Sequence, residues 1–280
     1  MREELLEKII METVDIPSLP QVAMKVLHLM NDDYSSINEL EKIIANDQAF
    51  STRILRIANS PYYGRGRSID TISTAIILVG FNTMKNLVVA ASLKDIHRKF
   101  GLFEQKLWEH SLGVSIAAPI LAAETKMVVP EEAMVAGLIH DVGKTVLNNS
   151  VPDKYSLVIE KVYEEGAAFM EVENEMLGFN HCNVGGLIAR KWKIPKNLET
   201  VIEYHHAETF PDFEDNNYEA LCQIVQIADA MCLGLGIGME RNITPADIGI
   251  DRIGLSEKKF DELKEKVQKI YTEQRSKLLE

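Results

Sequence analysis

Apolar residues recur three and four positions apart along nearly all of this 280-residue chain, and almost nowhere do they alternate. A period near 3.6 marks helices that bury one face, and the missing two-residue period leaves little material for a sheet. The punctuation agrees. In PQVAMKVLHLMND, Pro20 has the fixed φ suited to a first helical position, and Val22, Val26, Leu27 and Met30 share a face. Ser36 with Glu39 makes a capping-box pattern ahead of LEKIIAN. QAFSTRILRIANS should stop at Ser60, because the residue before Pro61 disfavours helical backbone, and YYGRGRS follows as a loop. TISTAIILVG ends on Gly80, suited to a left-handed cap, while Asn82 can cap TMKNLVVAASL and Thr244-Pro245 can open a further short helix. The expected fold is all-α.

A change of character falls at KDIHRKFG, residues 94–101: five of the seven histidines come after it. The expected division is an N-terminal helical subdomain over 1–100 packed on a helical core over 101–240, with a C-terminal helical extension over 241–280. In the extension, Phe260, Leu263, Val267 and Ile270 form a single apolar stripe, which must dock on the body or on a partner.

Composition narrows the setting. Hydrophobic and charged fractions of 46% and 26% are ordinary for a globular protein. A net charge of −12 argues against general affinity for nucleic acid or anionic membrane. MREELLEKII carries acids where a signal peptide carries basic residues, and no apolar run approaches the roughly 18 residues of a membrane span. Cys182, Cys222 and Cys232 form no CxxC pair and leave one over, so a reducing cytoplasm is the expected compartment.

The chemistry gathers in the middle of the chain. GLIHDVGKTVL, residues 137–147, sets His140 and Asp141 at the end of a buried apolar segment, with Lys144 one turn on. A buried carboxylate is costly unless a cation, an arginine or a metal compensates it. His110 lies in an amphipathic pattern, KLWEHSLGVSIAAPILAAE. His181 heads an apolar helix, where it is either a ligand or a cap. His205 and His206 sit in VIEYHHAE, and Asp229 lies among apolar neighbours in IVQIADAMCLG. Seven such donors in or beside apolar helices fit a metal site of two ions bridged by a carboxylate; imidazole suits iron, zinc and nickel, and carboxylate suits manganese also. Adjacent helical residues point about 100° apart, so of His205 and His206 one is expected to bind and the other to support it. The divalent ions would activate water for attack on phosphorus, with Asp141 at the reacting centre and Lys144 neutralising a phosphate oxygen. The competing reading is a relic site whose histidines and aspartates hydrogen-bond one another; for Lys144 it is a cation favoured near a helix C-terminus.

These residues resemble a known pattern. His110, His140-Asp141 and Asp229 are similar to the ligand set of the HD superfamily of metal-dependent phosphohydrolases. Residues 15–235 resemble the HDOD family, the HD-related output domains of bacterial signalling proteins, through IPSLPQVAMKVL, IIANDQAFSTRILRIANSPYYG, TAIILVGF, LWEHS, AGLIHDVGK, LGFNHCNVGGLIARKWKIP and YHH. One departure is Asp47-Gln48, where that family often has Asp-Pro. The resemblance implies an HD-like core and a non-enzymatic output or scaffold role in which many members have lost the ligands that this chain keeps. His181 and the His205-His206 pair resemble the further ligands of the HD-GYP cyclic di-GMP phosphodiesterases. Where those carry Gly-Tyr-Pro, however, this chain reads AETFPDFEDNN, and Lys106 stands where they can supply a glutamate. Cyclic di-GMP hydrolysis is therefore not expected.

The leading expectation is a bacterial signalling module that binds a protein partner and keeps a metal-capable core. The alternative is an active phosphohydrolase on a nucleotide or cyclic dinucleotide. No receiver or cyclase pattern is recognisable, so the input is expected from another protein. Arg53, Arg56, Arg65 and Arg67, with no acid among them, suit an acidic partner or a nucleotide better than DNA in so acidic a chain. GLGIGM, residues 234–239, lacks the third glycine and preceding strand of a dinucleotide fingerprint and reads as a loop.

Overall fold

The computed structural model describes residues 10–14, 21–29, 37–59, 69–80, 84, 87–88, 91, 101–238 and 249–279. Among them there is no strand; the chain is all-α. It forms two compact units, Pro17–Ile96 and Met1–Ile16 with His97–Glu280. The capping residues Pro20, Ser36 and Asn82, the stop at Ser60-Pro61 with the loop after it, Arg65, Arg67 and Thr244-Pro245 lie outside the described residues.

In the smaller unit α1 (Gln21–Leu29), α2 (Ile37–Ala45), α3 (Gln48–Ala58) and α4 (Ile72–Val79) pack around Leu40, Ile44, Phe50, Ile54 and Ile76. Asp47 caps α3, accepting from the Phe50 N–H at 2.9 Å. Gln48 is therefore the first helical residue, where the N–H has no helical partner, so that proline is suited to the position but not required. Asn59 accepts from the Ile69 N–H at 2.8 Å and donates to the Ile69 carbonyl at 2.7 Å, tying the end of α3 to the approach to α4. Gly80 does end α4 at positive φ, but with φ 86° and ψ 160°, not the left-handed helical cap expected. Only the φ needs glycine, and the extended ψ leads the chain away from the helix.

In the larger unit the 24-residue α5 (Leu102–Thr125) is the central rod. It packs against α6 (Pro130–Ile139), α12 (Asn216–Gly234) and α13 (Glu257–Leu279). The amphipathic expectation for α5 is corrected: six consecutive residues, Glu109 to Val114, are buried, so every side of its middle is covered. A helix walled in by neighbours has no solvent face to keep polar. The remaining helices are α7 (Val142–Ser150), α8 (Pro152–Glu165), α9 (Phe169–Leu177), α10 (His181–Lys191) and α11 (Lys196–Tyr204). Along α13 the buried stripe is Phe260, Leu263, Val267 and Tyr271, docked on α5, with Ile270 only half-buried. The last step of the stripe is four residues instead of three, as a 3.6-residue period requires on a long straight face. No helix among the described residues is long and apolar enough to cross a membrane. All three cysteines are free and buried.

Candidate metal centre

Five elements of the larger unit deliver the donors. His110 is mid-α5, His140 and Asp141 form the joint between α6 and α7, His181 opens α10, His205 and His206 follow α11, and Asp229 lies in α12. Lys144 belongs to the first turn of α7, so it is not a cation at a helix C-terminus: the chain re-enters a helix at Val142, directly after Asp141. His181 is not a cap either, since the Asn180 side chain accepts from the Asn183 N–H at 3.1 Å and fills that role.

Ring protonation follows from what each Nδ1 meets. A carbonyl or ionised carboxylate oxygen can only accept, so the facing nitrogen carries the proton. The Nδ1–H of His140 donates to the Gly137 carbonyl at 2.8 Å, that of His110 to the Ile237 carbonyl at 3.2 Å, and that of His205 to the Val201 and Ile202 carbonyls, each at 3.1 Å. The Nδ1–H of His181 donates to Glu173 Oε2 at 2.6 Å. In His140, His181 and His205 the remaining nitrogen, Nε2, faces Asp141 at 3.4, 3.5 and 3.5 Å. His110 Nε2 instead meets Asp229 Oδ1 at 2.8 Å.

The donors fall into two groups that share Asp141. One is Asp141 with His181, His205 and His206, the other is Asp141 with His110 and His140, and in each the candidate atoms lie within 4.8 Å of one another. Within the core of this cluster His140 Nε2, His181 Nε2 and Asp141 Oδ1 are buried without a hydrogen-bond partner. Each such atom costs about 1–3 kcal/mol. Two donors bound to one ion at about 2.0–2.2 Å in tetrahedral arrangement stand about 3.3–3.6 Å apart. The observed 3.4–3.5 Å separations match that spacing and are too long for hydrogen bonds between these atoms. Asp141 with His140, His181 and His205 therefore fits a divalent transition metal, while His110 and Asp229 are hydrogen-bonded to one another at 2.8 Å.

Charge is balanced locally. Burial pushes the Asp141 carboxyl up, but the Lys144 ammonium and then His140 hold it well below the usual carboxylate range. Lys144 donates to Asp141 Oδ2 at 2.7 Å, and although burial works against its charge, Asp141 and Asp229 raise its pKa. Against burial, Glu173 raises the His181 imidazole to about 9. Asp229 is likewise held low against burial by His110. Burial, reinforced by His205 and His181, keeps His206 neutral, well below the usual imidazole range.

Several supporting groups were not legible as site residues. Glu173 accepts from both the ring and the backbone N–H of His181, at 2.6 and 2.8 Å, and Tyr155 donates to its other oxygen at 2.7 Å. The available signal was an acid placed with Phe169, Val172 and Met176 at the three- and four-residue spacings of one face of α9. Of GLGIGM, Gly234 ends α12, residues 235–238 form a loop as expected and Met239 lies outside the described residues; the Ile237 carbonyl orients His110, and Gly238 (φ 79°) lies so close that a Cβ would stand 2.6 Å from that of His110. A cavity of about 250 Å³ opens beside the cluster onto His110, Lys144, His206 and Asp229, walled by Tyr163 and Phe169.

Comparison with known proteins agrees with the fold. Residues 16–208 match the HDOD domain family. An HDOD domain protein of unknown function from Geobacter sulfurreducens superposes with a TM-score of 0.70 at 26% identity, covering 99% of this chain and 95% of its own. A Shewanella amazonensis protein provisionally named a phosphohydrolase superposes with a TM-score of 0.71 at 23% identity, over 99% of this chain and 98% of its own. At that identity the likeness carries the fold. An uncharacterised Treponema pallidum protein is 22% identical over 193 residues, which are 69% of this chain and 38% of that protein. The chain spans less than half the length of the curated relatives it matches.

Proposed function

Because the chain belongs to the HDOD family, we propose that it is a bacterial signalling module of the cytoplasm, acting through a protein partner, whose HD-type core holds a pair of divalent transition-metal ions. One observation carries the metal part: three imidazoles with Nδ1 tied to an acceptor aim Nε2 at one buried carboxylate, and three of the atoms concerned have no hydrogen bond. His181, His205 and His206 would serve one ion and His110, His140 and Asp229 the other, with Asp141 shared. Nitrogen and oxygen donors suit iron, manganese, zinc or nickel. The output role rests on the family, with the N-terminal subdomain over residues 1–100 as the partner-binding part, the metal-capable core over 101–240 and the extension over 241–280. Elemental analysis of protein purified without chelator tests the metal. One to two equivalents of transition metal are expected, and less than about a tenth of an equivalent would end this reading.

A second reading is favoured by the cavity beside the cluster. There the site would act as a phosphohydrolase, with the nucleotide or cyclic dinucleotide expected from sequence as its first candidates. When bound, the ions would supply Lewis-acid stabilisation of phosphoryl oxygens. Lys144 would neutralise one such oxygen, and Asp141 and the imidazoles would orient the ions. His140→Ala and Asp141→Ala should each abolish metal binding and turnover together; turnover that survives loss of metal would refute it.

A further inference from the structure

Part of the cavity wall differs in kind from the metal cluster. It is made by the end of α8, the start of α9 and the connection between them: Val162, Tyr163, Ala167, Phe169 and Met170, closed from α12 by Leu233. Apart from the Tyr163 hydroxyl, these side chains carry no hydrogen-bonding group. Phe169 stands within this wall with the Lys144 ammonium 5.0 Å from its ring centroid, and Phe103 and Tyr155 hold the ring in place at 5.9 and 6.5 Å. The cavity thus has a charged end and an aromatic end, a few ångströms apart.

Among the described residues, Lys144 is the one ammonium in the lining, and it is already committed to Asp141. Lys106 lies 5.3 Å from the Tyr163 ring centroid without lining the cavity. Glu164, Glu165 and Glu171 flank the wall residues in the chain and are exposed. Among the described lining residues no second ammonium and no guanidinium stands ready for a further phosphate on a ligand. The volume, about 250 Å³, lies below the usual range for drug-sized ligands. A purine base has several donors and acceptors that the apolar wall would leave unpaired, and such unpaired groups are strongly rejected.

We propose that this cavity recognises a monophosphate ester of a small aromatic or apolar alcohol, and discriminates against nucleoside phosphates and cyclic dinucleotides. The inference rests on the phosphohydrolase reading of the cluster, because it takes the charged end as the phosphate position. Phe169 and Tyr163 act as specificity residues: they contact the alcohol portion and leave the phosphate to the cluster and Lys144.

Calorimetric titration of the manganese-loaded protein with inorganic phosphate, phenyl phosphate, adenosine monophosphate and a cyclic dinucleotide tests it. Phenyl phosphate should bind about tenfold tighter than inorganic phosphate, the gain expected from one good aromatic contact together with buried ring area. Adenosine monophosphate and the cyclic dinucleotide should bind no tighter than inorganic phosphate. Phe169→Ala should remove most of the phenyl gain and leave inorganic phosphate within about twofold. Tyr163→Ala, at a half-exposed position that folding tolerates, should lower the same gain even if the Phe169 variant is unstable. Equal binding of phenyl phosphate and inorganic phosphate would overturn the aromatic-wall inference while leaving the phosphate site standing. Tighter binding of either nucleotide would overturn it as well. If metal-loaded protein ignores inorganic phosphate altogether, the phosphohydrolase reading fails and this inference goes with it.

Discussion

His181 is held between two carboxylates, Glu173 on Nδ1 at 2.6 Å and Asp141 on the Nε2 side at 3.5 Å, and without metal its pKa rises to about 9. The sign of the consequence is definite. The folded pKa exceeds the ordinary value near 6.5, so the stability contributed by the charged ring is complete below about 6.5 and lost as pH rises through about 9. Urea unfolding of chelated protein should therefore show stability falling by up to about 3 kcal/mol between pH 6 and 9.5. Glu173→Gln should flatten that profile, and an unchanged profile would disprove the assignment. Metal displaces the same proton, so binding at pH 7 should release about one proton from this residue. Titrations in buffers of different ionisation enthalpy measure it directly. Glu173→Gln should also weaken metal binding about 10–100-fold, as loss of an outer-shell partner to a ligating histidine does.

The site exists because two helix starts approach unusually closely. α7 and α10 pack so that a Cβ on Gly143 would stand 1.9 Å from the His181 carbonyl oxygen, a backbone atom that cannot swing away. Only glycine lets Asp141, two residues before, reach His181. Gly143→Ala should push α10 outward and destabilise the larger unit by about 1–3 kcal/mol or more. Its denaturation midpoint should fall and its metal content drop together, whereas a variant that keeps full metal content would show that the approach can relax. At this scale the sequence foresaw that Gly80 ends α4, because such ends are decided by neighbours a few residues away, but not its extended ψ, and it did not single out Asp47 as the cap of α3. It was a poor guide to α5, whose burial depends on α12 and α13, from far along the chain, as well as on the next helix, α6.

For the molecule as a whole, a metal pair drawn from five elements should behave as a fastener of the larger unit. A ligand bound only by the folded state adds about 2.7 kcal/mol at a hundredfold excess over its Kd. Thermal melts should therefore shift upward with added manganese or zinc and return with chelator, and Asp141→Asn should remove most of the shift. A melt indifferent to metal and chelator would contradict a resident ion. The helical class was readable from periodicity, and the HDOD resemblance from its quoted motifs, because those are local properties of a chain. Tertiary structure alone decided that His140, His181 and His205 turn one nitrogen each to a single carboxylate, that His110 turns instead to Asp229, and that Glu173, Ile237 and Phe169 complete the surroundings. Most of those facts are contacts between elements separated in sequence, such as His205 with Asp141 and His110 with Asp229, set by side-chain packing that no local pattern encodes.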